Sequence, residues 1–350
     1  MKIITQSKLF LGLFTVISGA TQASHHFEAA QYLADTRVAQ VDNFIFQSEK
    51  KDHTAVVMTV NYDPKKGDDQ TFNSNAIYNM HFATQADLSM GKTLSVKFNQ
   101  QRYTVYEIDS ANPEPGTLGK KIGEGIIGQK SRLTDSIQSY AGIVEDPFYG
   151  NAIALDQFRK EILKGQYSPD IWKNVKGQNV FKDRKVGAIV LDLPNKMLGK
   201  EIFAFFTTDV KVNQQWKQVQ YSAIPLLSHT VLFDNQSLLQ AHDHSRPVIE
   251  YNTEIKPLIA ANILRATTAA HSQSNPLMYA EQASNYFIPD VLYYKIGTPA
   301  RFSAQKINGR SLDDDAMSVI LTWLFGQETD QAISNTKKYT KKFPYVIPVK

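Results

Sequence analysis

From Val41 to Asp109 the chain alternates short apolar runs with polar breaks. The runs are VDNFIFQS (41–48), TAVVMTVN (54–61), AIYNMHFA (76–83), TLSVKF (93–98) and RYTVYEID (102–109). Their β-branched and aromatic residues and the turn-like separators between them predict five strands in close succession, read as antiparallel hairpins. Five such strands need a second layer to bury their apolar face, which points to a sandwich or a curled sheet. Asn112–Gly128 carries Pro113, Pro115 and five glycines and reads as a long surface loop or a boundary. Farther on, VGAIVLDL (186–193) and EIFAFFT (201–207) are apolar on both faces, as covered central strands are. Trp216–Ala223 reads as a hairpin partner with one polar face.

Helical spacing appears in three later stretches and one earlier one. Asn151 is placed to cap a helix over Ala152–Leu163, with Leu155, Phe158 and Ile162 on one face and Gly165 as its stop. Pro257–Ala270 and Pro276–Phe287 each begin with proline, which suits a first helical turn, and Leu312–Phe325 is the third. The acidic run Asp313–Asp315 before it reads as a cap for the helix dipole. The predicted fold class is therefore mixed α+β and β-rich: an antiparallel β-sandwich-like body with helices mainly in the C-terminal half. A single domain over 24–350 is expected, with a possible subdivision near 110–130.

Residues 1–23 read as a signal peptide: Lys2 and Lys8 lie around a polar start, Leu9–Ala20 is apolar, and Thr21-Gln22-Ala23 gives a small-residue exit, with cleavage near Ala23. The run is shorter than the roughly twenty residues a bilayer span needs, so no membrane span is expected in the mature chain. The expected location is periplasmic or secreted. The chain has no cysteine, which excludes thiol catalysis, thiolate metal sites and disulfides. The formal charge of +4 falls to about +2 without Lys2 and Lys8, which gives no electrostatic case for nucleic acid.

With thiolates excluded, a divalent metal would need imidazole and carboxylate ligands. His25 and His26 follow the predicted cleavage point, where a new α-amino group and an adjacent imidazole can chelate. Asp42 and Asp146 are the acids to converge with them. His242 and His244 form a second pair, because on a strand they would share a face; in the polar run QAHDHSRP a loop is the competing reading. Asp35, Asp156 and Asp192 are further carboxylates, each more simply read as a cap, a turn or a solvated group. The glycines between Gly116 and Gly128 lack the Gly-Lys-Ser/Thr ending of a phosphate loop, and neither G-x-S-x-G nor H-E-x-x-H occurs.

Several blocks in order resemble one family of exported bacterial proteins, domain of unknown function 4331. SHHFEA (24–29) is similar to its opening after the signal, and ADTRVAQVDNFIF, with Asp35 and Asp42, resembles its acidic run into a first aromatic strand. VVMTVN and AIYNMHF resemble its next strands, AGIVEDPFY its acidic-Pro-Phe block, and AIVLDLPN its strand closed by Leu-Pro. PDVLYY, INGRSLDDD and KFPY look like closing blocks. The chain departs from the pattern at His26, where Arg is more typical, and at PVIPVK, where a histidine is expected. The resemblance implies export and architecture, and no activity. The expected function is a binding or structural protein with an unknown ligand or protein partner. The alternatives are a metal-assisted or carboxylate hydrolase and a surface scaffold.

Overall fold

The computed structural model describes residues 35–67, 71–174, 179–233, 235–250 and 253–349. The expected signal peptide, His25 and His26 lie outside them. The fold is sheet-rich and mixed, with antiparallel pairing throughout and most helices in the C-terminal half. One sheet has the order β1 (Gln40–Gln47), β2 (His53–Asn61), β9 (Lys185–Pro194), β8 (Gln138–Glu145) and β7 (Lys130–Arg132). The other runs β11 (Gln215–Ser222), β10 (Glu201–Val212), β3 (Ala76–Ala83), β4 (Gly91–Asn99), β5 (Arg102–Ile108) and β6 (Lys120–Ile126), with β12 (Leu292–Lys295) also on β10.

The expected strands form, but not as one chain of hairpins. β1–β2, β3–β4 and β4–β5 pair as neighbours, whereas β2 continues to β9 and β3 to β10. The chain changes sheets between Asn61 and Ala76, because each of these strands has both edges to fill and the distant β9 and β10 carry the most apolar sequences available. The glycine-rich stretch also differs from a plain loop, since β6 lies inside it and pairs with β5. Its glycine at 125 is a packing requirement: a Cβ there would stand 2.2 Å from the ring of Tyr103, its cross-strand partner.

Strand alternation sorts the core into two layers. Val56, Met58 and Val60 of β2 and Ile189, Leu191 and Leu193 of β9 enter the main core between the sheets. Ala55 and Val57 of β2 and Val186, Ala188 and Val190 of β9 point outward, yet they too are buried. Their cover is the C-terminal segment, which lays Phe343, Tyr345 and Val346 over that face together with Leu312. Backbone bonds fix the cover: Glu145 donates its N–H to the carbonyl of Ile347 at 2.9 Å, and Ile45 and Arg310 exchange bonds at 3.0 and 2.9 Å.

Helices close the other end. α1 (Ala152–Ile162) starts at Asn151, whose side chain accepts the N–H of Ala154. α2 (Gln236–Asp243) packs beside β11, followed by α3 (Ile255–Ala270), α4 (Pro276–Ala283) and α5 (Ala316–Phe325). Asp315 caps α5 by accepting the N–H of Ser318. Phe158 of α1 meets Phe325 of α5 edge-on at 5.2 Å, which joins the helices to the main core.

Because Phe343 is 4 % exposed and sits on the outer sheet face, Phe343→Ala should lower unfolding free energy by about 3–5 kcal/mol. Urea titration followed by far-UV circular dichroism measures it.

Candidate functional site

Asp42 and Asp146 are brought near each other, under the C-terminal segment. β1 carries a bulge between Gln40 and Asn43, and a bulge re-aims the side chains that it carries. Asp42 donates its backbone N–H to Thr59 Oγ1 at 2.9 Å, and its carboxylate pairs with the guanidinium of Arg310. Arg310 is 1 % exposed and lies over the ring of Phe44 at 4.3 Å. Asp146 follows β8 in the geometry that Pro147 imposes. Its Oδ1 accepts the N–H of Phe148 at 3.0 Å, closing an Asx turn, and its Oδ2 lies 3.4 Å from Arg184 Nη1. Its own carbonyl accepts from Lys337 Nζ at 2.6 Å, so the turn is tied to the covering segment.

Burial pushes the Asp146 carboxyl up to about 7, with the like charge of Asp42 adding and Arg184 and Lys337 opposing. The arrangement is two carboxyl groups, each beside a guanidinium, in a place closed to solvent. Such pairs fasten elements, because removing one partner leaves a buried charge. Neither acid lines any of the cavities described below. Among the described residues no group of three His, Asp or Glu is arranged to hold a metal ion. The other carboxylates noted in the sequence also have structural partners: Asp35 pairs with Arg37, Asp156 with Lys160 and Asp192 with Lys50.

His242 and His244 do not face the same way. QAHDH continues the turn of α2, capped by Asn235, instead of forming a loop or a strand. Two residues apart on a helix are turned by roughly 200°, so His242 is buried and His244 is exposed. The His242 ring stacks on Tyr221 at 4.7 Å, and its Nε2 lies 3.5 Å from Glu250 Oε1 and 3.3 Å from Asp290 Oδ2. Glu250 Oε2 accepts the Tyr221 hydroxyl at 3.0 Å and the N–H of Asp290 at 2.7 Å. Asp290 in turn accepts the N–H groups of Ala223 and Ile224 at 3.0 and 2.5 Å. Burial opposes charge on His242, but the Asp290 carboxylate beside its ring N–H and the fields of Glu250, Asp290 and Asp243 outweigh it and bring its pKa to about 9. Burial raises Glu250 to about 7, against the pull of His242.

Solvent reaches a different place. A groove of about 890 Å³ runs between the end of β1 and its turn, residues 311–313 and the segment 337–345. Its floor includes Tyr345, whose hydroxyl is 2.8 Å from Ser48 Oγ. Lys338, Lys341 and Lys342 line it and are exposed, and their ammonium groups make no ion pair or hydrogen bond among the described residues. Two acids share the lining. Glu49 accepts the N–H of Phe343 at 3.2 Å, and Asp313 accepts from Ser311 Oγ at 2.7 Å. Lys337 also borders the groove but is spent on Asp146 and Glu145. The sequence signal for this site was only the lysine-bearing tail; its facing wall comes from β1, far away in the chain.

No family model, no curated protein and no solved structure matches this chain.

The buried acids give a pH dependence with a definite sign. Asp146 and Glu250 hold a proton in the folded chain where the unfolded chain would lose it. Their contribution is complete below about 4 and falls as pH rises towards 7. The His242 contribution is complete below about 6.5 and is lost as pH rises through about 9. Urea midpoints should therefore be higher at pH 5 than at pH 9, and Asp146→Asn should flatten the slope between pH 4 and 7. Stability that rises over the same range would contradict this account.

Proposed function

We propose that this chain is an exported, periplasmic or secreted binding protein whose lysine-lined groove takes a ligand bearing several negative charges, such as an acidic polysaccharide. The observation that carries the reading is the set of Lys338, Lys341 and Lys342 on one wall of a groove of about 890 Å³ with no carboxylate partner of their own. Three cations close together on one segment repel one another, and an anion spanning them removes that repulsion. The mature charge is near neutral, so the attraction is local to this wall and does not belong to the whole surface. Phe46, half-buried and edge-on to the buried Tyr345 ring at 5.3 Å, supplies an apolar surface on which a ring or an aliphatic backbone can rest.

Binding is favoured over hydrolysis because Asp42 and Asp146, the two acids expected to serve a hydrolase, are each placed beside an arginine and buried. General acid–base work requires a carboxyl within hydrogen-bond reach of a substrate proton. Export rests on the leader-like residues 1–23, and the blockwise resemblance to domain of unknown function 4331 supports it further.

Two measurements test the proposal. Intact-mass analysis of protein recovered from the periplasm or medium should give a chain beginning at Ser24. In the second, dextran sulfate should bind in low salt and neutral dextran should not. Substituting Lys338, Lys341 and Lys342 together by Gln should weaken that binding by about tenfold to a hundredfold, from roughly 0.5–1 kcal/mol per exposed contact. Thermal unfolding of the triple variant should match the parent, because all three side chains are exposed. Equal binding by the triple variant would remove the groove from consideration.

A further inference from the structure

A second pocket, of about 570 Å³, lies between α4, the turn that follows it, α5 and residues 326–330, and it shares no lining residue with the lysine groove. Tyr279, Tyr286 and Trp323 give it aromatic walls, with Tyr286 stacked on Trp323 at 5.0 Å and 45 % exposed. Asp315, Glu328 and Asp330 give it negative charge, and no Lys, Arg or His is among its lining residues. Glu328 and Asp330 are exposed and form no ion pair among the described residues.

Several polar groups of the wall are already used. Asp315 Oδ1 accepts the Ser318 N–H at 3.1 Å and Gln331 Nε2 at 2.6 Å, and its Oδ2 accepts Ser318 Oγ at 2.7 Å. The Tyr279 hydroxyl donates to the Trp323 carbonyl at 2.7 Å, and Trp323 Nε1 donates to the Ala304 carbonyl at 3.0 Å. What remains for a ligand is the exposed ring of Tyr286 beside the carboxylates of Glu328 and Asp330, which supply a negative field. A primary ammonium is a compact, strongly hydrated charge, and an aromatic face gives its three donors no lone-pair acceptor in exchange for the water they lose. A cation that carries its charge under methyl groups has no donors to satisfy and gains from both the ring quadrupole and the carboxylates.

We infer that this pocket binds a quaternary ammonium group, with Tyr286 as the aromatic face and Glu328 and Asp330 as counter-charges. The inference is independent of the lysine groove, whose charge has the opposite sign.

Isothermal titration calorimetry of the full chain at constant ionic strength tests it, with tetramethylammonium and choline as probes. Both should give saturable binding. Ammonium ion and the neutral choline isostere 3,3-dimethylbutan-1-ol should bind far more weakly. Tyr286→Leu should weaken choline by about threefold to tenfold, and the pair Glu328→Gln with Asp330→Asn should do the same. All three positions are exposed, so matching melting curves will show that the variants are folded. The inference is overturned if neither probe saturates in the high millimolar range, if the neutral isostere binds as well as choline, or if folded variants bind like the parent.

Discussion

The structure depends on covering a sheet that is apolar on both faces. Every residue of β2 and all of β9 but Lys185 are buried, so the five-stranded sheet does not stand as one half of an ordinary sandwich with a wet outer surface. The second sheet buries its inner face. The outer face is closed by chain from well beyond the last strand, pinned by Phe343, Tyr345 and Val346. Each of those side chains withdraws apolar area from water, at about 25 cal/mol per Å², and backbone bonds to β8 hold the register of the cover.

That cover explains where the charges are. A segment laid over a sheet must satisfy its polar groups against whatever the sheet presents, and unpaired groups there would cost several kcal/mol. The ion pairs Asp42–Arg310 and Asp146–Arg184 and the bond from Lys337 to the Asp146 carbonyl stand at this seam. They join β1, the end of β8 and two C-terminal stretches. The same logic operates across the molecule, where His242 sits between two carboxylates and fastens α2 to β11 and the loop before β12. Both sets of titratable groups are thus accounted for by assembly of the fold, and the surfaces open to ligands are elsewhere.

The sequence was legible wherever periodicity was strong. β1 to β5, β9 to β11 and the helices α1, α3, α4 and α5 follow from local pattern, capping and proline placement, and Asn151 and Asp315 cap as their positions suggest. Partner choice was not legible, because nothing local in β2 says that its second neighbour is β9. α2 was hidden for another reason: its buried positions include His242 and Asp243, which read as solvent-facing until Tyr221 and Gln220 are seen to meet them. Asp42 and Asp146 stood out as acids, whereas Arg184 and Arg310 looked like any other basic residues, since a buried arginine is recognisable only by its surroundings. The lysine groove joins residues 46–49 to 337–345, and the aromatic pocket joins separate turns within 279–330, so neither could be read from spacing.

The covering segment also sets an order of events. Tyr345 reaches Ser48 across 297 positions of sequence, so residues that complete the first hairpin's environment are synthesised long after that hairpin. Until they arrive, Phe44, Val57 and Val190 have no lid, and a nascent chain presents a sticky β surface. A protein of this design cannot finish folding from its beginning. Its outer sheet face closes only when the tail has been made, so the last stretch of the chain is the one on which closure of the first hairpin waits.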